Sequence, residues 1–245
     1  MPADAGRTPW PFLVAIGPAR LHSALAANPK RPSMKVYEIG IGVEVPHGKG
    51  ARQVLTTVEC CDQKDIRIFL NNFAGTPYTR KWKPVRFYVD KPKLPRPDFF
   101  MQTRGWICNE RAMLLAGEAM EMAGESLPVE IEGETGQFAF FHITNCINVL
   151  DPEKSEWEVL GPVKGYKSLE SYTARQLKRP AFRPERFGEE SLFKIPEDYG
   201  IRSYCLERSG DPDDGEFKAV VEHHKLTGLT FDLIWSDAGT RRKNR

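Results

Sequence analysis

The sequence predicts an α+β fold: mostly antiparallel sheet, a few packing helices and an extended, Pro-rich N-terminus. Three observations carry this. Stretches of alternating apolar and polar residues follow one another with few helical stretches between them, a pattern of α+β rather than α/β chains. The 245 residues are 40% apolar and 28% charged, an ordinary globular composition. Residues 1–33 hold Pro2, Pro9, Pro11, Pro18, Pro29 and Pro32 without any sustained period, which predicts a mobile extension.

Taken in order, Met34 to Val43 begins with period-two alternation and reads as the first strand. Met34 is also an internal candidate start of translation, with residues 1–33 then reflecting an early start codon. Gln53–Val58 and Ile66–Asn71 read as strands, and Val85 to Val89 as another within the Pro-rich residues 76–97. Asn109 is a candidate N-cap for a helix whose apolar face is Ala112, Leu115, Ala116, Ala119 and Met122, with Gly124 as its C-cap. Leu127–Ile131 and Gln137–Ile143 read as strands joined by Glu-Gly-Glu-Thr-Gly136, and Ile147–Leu150 as a third. Residues 151–190 read as polar and irregular, with short strands at Ser191–Ile195 and Arg202–Leu206. A last helix is expected over Asp214 to Lys225, capped by Asp213 or Asp214, with Phe217, Val220, Val221 and His224 on one face and Gly228 closing it. Leu229–Trp235 alternates as a final strand, and residues 241–245 form a basic tail expected to fray.

Composition excludes several classes. Lys plus Arg number 35 and Asp plus Glu 33, a formal net charge of +2, so the chain is not a strongly basic nucleic-acid binder. No apolar run reaches the ~18 residues of a transmembrane helix. Pro11, Gly17 and Pro18 also cut the run from Trp10 to Ile16 too short for a signal-peptide core. The 5 cysteines (Cys60, Cys61, Cys108, Cys146 and Cys205) are an odd set without a CxxC, which points to reduced thiols and the cytoplasm. Cys60 and Cys61 are expected to face opposite sides of a strand.

Motif searches are mostly negative. There is no P-loop, no HExxH, no zinc-like Cys/His spacing and no nucleophile elbow. Gly40-Ile-Gly42 and Gly48-Lys-Gly50 lack the third glycine and the helix of a dinucleotide fingerprint. Asp211-Pro-Asp-Asp-Gly215 resembles a calcium loop but carries Glu216 where the sharp turn needs glycine, so helix capping is the expected role. His223 and His224 are adjacent on a helix and point about 100° apart, so they cannot share a metal. No cofactor and no metal site are expected. His142 and Cys146 are a remote candidate for a Cys/His pair in an enzyme of unrecognised type, with a core imidazole and a buried thiol as the ordinary reading.

Two charge features remain. Arg80, Lys81, Lys83, Arg86, Lys91, Lys93 and Arg96 interleave with Tyr78, Trp82, Phe87 and Tyr88. Cations neutralise phosphates and aromatics stack on bases, so Lys81, Trp82, Lys83, Arg86 and Tyr88 form a candidate nucleic-acid surface. The ordinary reading is a protected sheet edge. The second feature is acidic: Glu130, Glu132 and Glu134 alternate with Val129 and Ile131, which places the carboxylates on a solvent face. Asp151 follows one short strand later. Such a ridge can steer docking to a basic protein surface.

Phe140-Phe-His-Ile-Thr-Asn-Cys-Ile-Asn-Val-Leu-Asp151, with Ser155 shortly after, resembles a signature of a bacterial immunity-protein family from polymorphic toxin systems. Ile107-Cys-Asn-Glu-Arg-Ala112 and Glu125-Ser-Leu-Pro128 agree, as do Phe217-Lys-Ala-Val-Val221, Leu226-Thr-Gly-Leu-Thr-Phe231 and Ile234-Trp235. The resemblance covers residues 98–237 well and 34–97 loosely, while residues 1–33 have no counterpart. It divides the chain into a mobile extension (1–33), a strand-rich part (34–97), an immunity-protein-like α+β domain (98–237) and a basic tail (238–245). Gly228 fits a helix C-cap and Leu229, Phe231 and Leu233 fit one strand face, so the signature is one of fold and transfers no catalytic residue.

The resemblance implies a cytoplasmic, non-enzymatic protein that binds a cognate toxin, often a nuclease, and neutralises it by stoichiometric occlusion. Glu130, Glu132, Glu134 and Asp151 are then the candidate toxin-binding residues, mimicking phosphate in an electropositive active site, with aromatic anchors supplying most of the affinity. The alternative is a nucleic-acid-binding regulator using residues 78–96. No membrane partner is expected, and the sequence leaves the oligomeric state open.

Overall fold

The computed structural model describes residues 33–47, 51–62, 75–78, 82–102, 104–162, 173–198 and 200–238. Its largest sheet has the strand order β4-β5-β8-β9-β7-β6. These strands are β4 (Val58–Cys60), β5 (Val85–Val89), β6 (Phe99–Gln102), β7 (Gly105–Asn109), β8 (Gly124–Ile131) and β9 (Phe138–Ile143). Among the named strand pairs only β5–β8 is parallel, with Val85, Arg86 and Phe87 beside Val129, Glu130 and Ile131. The fold is α+β with mostly antiparallel sheets, as the composition of the elements predicts.

Period-two alternation gives this sheet two different faces. Val58, Val85, Phe87, Leu127, Val129, Ile131 and Phe140 point to one side and share a core with Tyr78 and Ile107. On the other side α1 (Glu110–Glu121) lies over β6, β7 and β9. It brings Ala112, Ala116, Ala119 and Met120 against Phe99, Trp106, Cys108, Phe141 and Ile143. Alanines on the inner stripe let the helix approach the aromatic layer closely. Asn109 is the N-cap, its side-chain oxygen accepting the Ala112 N–H at 2.8 Å.

A four-stranded sheet, β12-β13-β1-β14, closes the other side of this core. Its strands are β1 (Lys35–Ile41), β12 (Leu192–Phe193), β13 (Ser203–Glu207) and β14 (Leu229–Ser236). Ile39, Leu192 and Cys205 join the α1 core together with Phe217, Val220 and Val221 of α2 (Phe217–His223). Val36, Phe193, Tyr204 and Leu206 point the opposite way, into a third core with Val149, Leu150, Leu177 and Phe182. Two hairpins complete the strands: β2 (Glu44–His47) with β3 (Ala51–Val54), and β10 (Glu156–Pro162) with β11 (Thr173–Arg179). All described residues fall in one compact unit, and β1 lies between β13 and β14, so residues 34–97 and 98–237 share both main sheets. No described helix is long and apolar enough to cross a membrane.

The structure corrects several local expectations. Gly124 does not cap α1. The helix ends at Glu121 with Met122 as its cap, and Gly124 opens β8, where a Cβ would overlap the His142 carbonyl. Ile147–Leu150 is not a strand but is held by single bridges, Cys146 to Lys194 and Leu150 to Phe182. The stretch expected to be irregular contains the β10–β11 hairpin, whose bulges between Glu156 and Trp157 and between Val159 and Gly161 break the alternation. α2 is shorter than expected at its start. Gly215, at φ 70°, separates it from a 3-10 turn at Pro212–Asp214, and that turn is capped by Asp211 rather than Asp213 or Asp214. The Glu216 carboxylate turns back to accept the N–H groups of Arg208, Ser209 and Gly210 at 2.7 to 2.9 Å.

Lys225, at φ 52°, reverses the chain after α2, so Gly228 is not the helix cap. In β14 a bulge opposite Val36 and Tyr37 turns Leu233 outward, 48% exposed, while Ile234 and Trp235 pack on the third core. Cys60 is half-buried and Cys61 exposed. The expected strand Ile66–Asn71, the basic tail 241–245 and all of the extension except Ser33 lie outside the described residues. Ser33 itself hydrogen-bonds Ser236 and Asp237 at 2.9 and 2.8 Å.

Candidate functional site

α1 covers only part of the six-stranded sheet, and on the same side β4, β5 and β8 present Glu59, Arg86, Tyr88 and Glu130 to solvent. The alternation that buries Val129 and Ile131 places Glu130 outward, directly beside Arg86 on the parallel neighbour. Tyr88 stands opposite Glu59 across the β4–β5 pair and donates its hydroxyl hydrogen to the Glu59 carboxylate. Glu132 lies one residue past the end of β8, exposed, with its N–H donated to the Phe87 carbonyl at 2.8 Å. Glu134 sits in the β8–β9 turn, where Arg96 grips one carboxylate oxygen with Nε at 2.9 Å and Nη2 at 2.7 Å. Arg96 also donates to the carbonyls of Pro92 and Leu94, so this pair ties the 92–96 loop to the turn.

Asp151 stands apart from that row. It is 6% exposed and lies beside the third core, next to the Leu150–Phe182 bridge. Lys154 approaches its carboxylate at 3.2 Å and Arg183 at 3.8 Å, and the Glu153 N–H at 3.3 Å closes the turn. Desolvation opposes its charge, but the Lys154 ammonium and these hydrogen bonds hold the carboxyl below its ordinary range. Its place is that of a turn anchor.

The basic and aromatic segment is split by the same strands. Lys81 lies outside the described residues. Trp82 is stacked on Phe140 with ring centres 6.0 Å apart and donates Nε1–H to the Pro128 carbonyl at 2.8 Å, so its face is taken by the core. Lys83 and Arg86 are exposed, and Tyr88 is engaged with Glu59. The acidic and basic features, read from sequence as separate surfaces, are therefore interleaved on adjacent strands of one sheet.

His142 and Cys146 come near a buried ammonium. Lys194 is fully buried and donates from Nζ to the Arg104 carbonyl at 2.6 Å. Burial is the main cause that pushes its pKa down to about 8. Lys194 is also the backbone bridge partner of Cys146, whose thiol burial raises. His142 packs against Tyr78 at 4.5 Å, shares Nε2 with the Thr76 carbonyl at 3.2 Å, and leaves Nδ1 buried without a partner. Burial, then the Lys194 charge, push the imidazole down to about 4. The ring is thus neutral and placed as a packing element. Among the described residues no group of three or more His, Cys, Asp or Glu is arranged to hold a metal ion.

This histidine has a consequence for acid stability. The unfolded imidazole takes up its proton near 6.5 and the folded one near 4. Between those values the unfolded state binds more protons, so stability falls as pH drops through that window, by about 3 kcal/mol in all for this group. Denaturant titrations at pH 7 and pH 4.5 should show a smaller acid loss for His142→Phe than for the parent. Equal losses would mean that the ring is protonated without penalty.

No protein-family model matches the chain, and no curated protein is a significant match. The immunity-protein resemblance therefore rests on the motifs themselves. Sequence reasoning missed Glu59, which joins the exposed row through Tyr88, and Lys194, whose burial follows only from the bridge to Cys146. Glu59 had a signal, since it alternates with Val58 and Cys60.

Proposed function

We propose that this chain is an immunity protein that binds the toxin domain of a polymorphic toxin system one to one and occludes its active site. The observation that supports this best is the uncovered face of β4, β5 and β8. There Glu59, Glu130 and Glu132 form an acidic row around Arg86, backed by a core that fixes the strands. Rigid, outward carboxylates suit an electropositive partner such as a nuclease site, and such complementarity acts chiefly on association rate and specificity. Glu134 contributes to this face only as the partner of Arg96, and Asp151 has no part in it. Tyr88, 39% exposed, is the aromatic anchor nearest the row.

Co-expression with the toxin domain encoded beside this gene tests the reading. Growth should be restored, and the two chains should elute as one complex. Glu130→Lys with Glu132→Lys should weaken that complex at least about tenfold and flatten its salt dependence, a loss of ~1.4 kcal/mol or more. A folded protein that fails to rescue would sink neutralisation of that toxin. Rescue with unchanged affinity and salt dependence in the double variant would remove this face from the interface.

A further inference from the structure

We propose that the outer stripe of α1 and the cleft beside it seat a basic amphipathic helix of the bound toxin. This rests on the toxin-binding reading and adds a second contact, away from the β4–β5–β8 row, with its own chemistry. Leu114, Gly117, Glu118, Glu121 and Met122 fall at i, i+3, i+4, i+7 and i+8, a single helical stripe. It lies opposite the alanines that pack on the core. Leu114 is 79% exposed and Met122 60%, and Leu114 is the most exposed large apolar residue among those described. Solvent-facing positions on a helix ordinarily carry polar residues, so two large apolar side chains on one stripe call for a partner.

Gly117 makes the case more specific. It sits inside the helix with no left-handed φ, and a Cβ there would meet nothing within 4 Å. Glycine weakens a helix interior relative to alanine. Neither backbone conformation nor internal packing requires it here. What glycine does permit is close approach of another backbone beside Leu114, on the solvent side of the helix.

Charge then selects the partner. The stripe borders a cleft of about 260 Å³ lined by Glu118, Met122, Glu189, Glu190 and Asp214. None of the ion pairs among the described residues engages these carboxylates. The nearby Arg208 donates instead to the Gly188 and Glu189 carbonyls. A helix crossing at Gly117, with apolar residues against Leu114 and Met122 and lysines or arginines in the cleft, satisfies all three features.

Two arms test this. In the first, the isotope-labelled chain is titrated with a synthetic leucine/lysine amphipathic helix and with its leucine/glutamate counterpart. The lysine peptide should shift the amides of Leu114, Gly117, Glu118 and Met122, and the glutamate peptide should not. Gly117→Leu, which replaces glycine by a better helix former, should keep or raise Tm yet weaken the lysine peptide at least about tenfold. Shifts centred elsewhere, an equal response to both peptides, or full binding by Gly117→Leu would overturn the proposal.

In the second arm, Gly117→Leu and Glu118→Lys/Glu190→Lys are measured against the neighbouring toxin domain. Each should lose at least about tenfold in affinity. Parental affinity in both variants would overturn the proposal. Absence of any complex with the unaltered chain would instead defeat the neutralisation reading for that toxin, and the peptide arm then decides the seat on α1.

Discussion

Gly228→Ala is expected to lower the stability of this protein by about 3 kcal/mol or more. Gly228 has φ 105°, where an L side chain is strained whatever the space around it. An added Cβ would also overlap the Phe99 carbonyl oxygen and stand 3.0 Å from Pro97 Cβ. Both obstacles sit at a junction that cannot shift freely. The Gly228 carbonyl accepts the Gly42 N–H at 2.9 Å, and the adjacent Thr227 carbonyl accepts the Phe99 N–H at 3.0 Å. Relief of the overlap therefore pulls on the end of β1 and the start of β6 together. Gly136→Ala is the matched control, since its Cβ would make only ordinary contact with the Phe138 ring at 3.6 Å. Urea midpoints should fall sharply for Gly228→Ala and hardly move for Gly136→Ala. Equal midpoints would mean that the junction yields.

Asp98→Ala should follow, with a loss of about 2–4 kcal/mol. Asp98 is 7% exposed and its carboxylate joins three elements. Oδ2 accepts from Thr227 N–H at 2.8 Å, Thr227 Oγ1 at 3.0 Å and Arg111 Nη1 at 2.9 Å, and Oδ1 accepts from Asn109 Nδ2 at 3.2 Å. The main chain repeats the link, because Asp98 N–H donates to Thr227 Oγ1 and its carbonyl accepts the Asn109 N–H. Truncation would take the acceptor from the part-buried Thr227 N–H and the carboxylate from Arg111, which keeps only the His224 carbonyl. Arg111 is half-exposed, so the hydrogen bonds rather than the ion pair supply most of the loss. Asp98→Asn keeps an acceptor oxygen and should recover part of it. An unaltered midpoint in Asp98→Ala would show that water replaces the carboxylate.

The sequence makes this fold legible where one period runs uninterrupted. α1 from its Asn109 cap, and β8 and β9 with their turn, follow directly from residue spacing. The β10–β11 hairpin is hidden because its bulges shift the alternation, whereas α2 is legible and only its start is not, because Gly215 breaks the chain between a capped 3-10 turn and the helix. For the site, exposure was readable and partnership was not. Glu130 faces outward because Val129 and Ile131 face inward. The capture of Glu134 by Arg96, 38 residues away in sequence, follows only from the loop geometry. Trp82 reads as a stacking residue by type, yet the Phe140 ring and the Pro128 carbonyl take it into the core.

The position of β1 between β13 and β14 bears on how the chain folds during synthesis. Lys35 pairs with Glu207 on one side and with Ser236 on the other. Within the four-stranded sheet β1 is made first, and its neighbours follow much later, since Lys35 and Glu207 lie 172 residues apart. Pairings of such sequence separation make for slow folding, since a long loop closes before any contact rewards it. The strands from β4 to β9 include hairpins with short connections and can pair earlier. Val36 and Ile39, both buried in the finished sheet, stay uncovered until then. That interval is the period in which a nascent chain of this kind is most prone to aggregation and most dependent on chaperones.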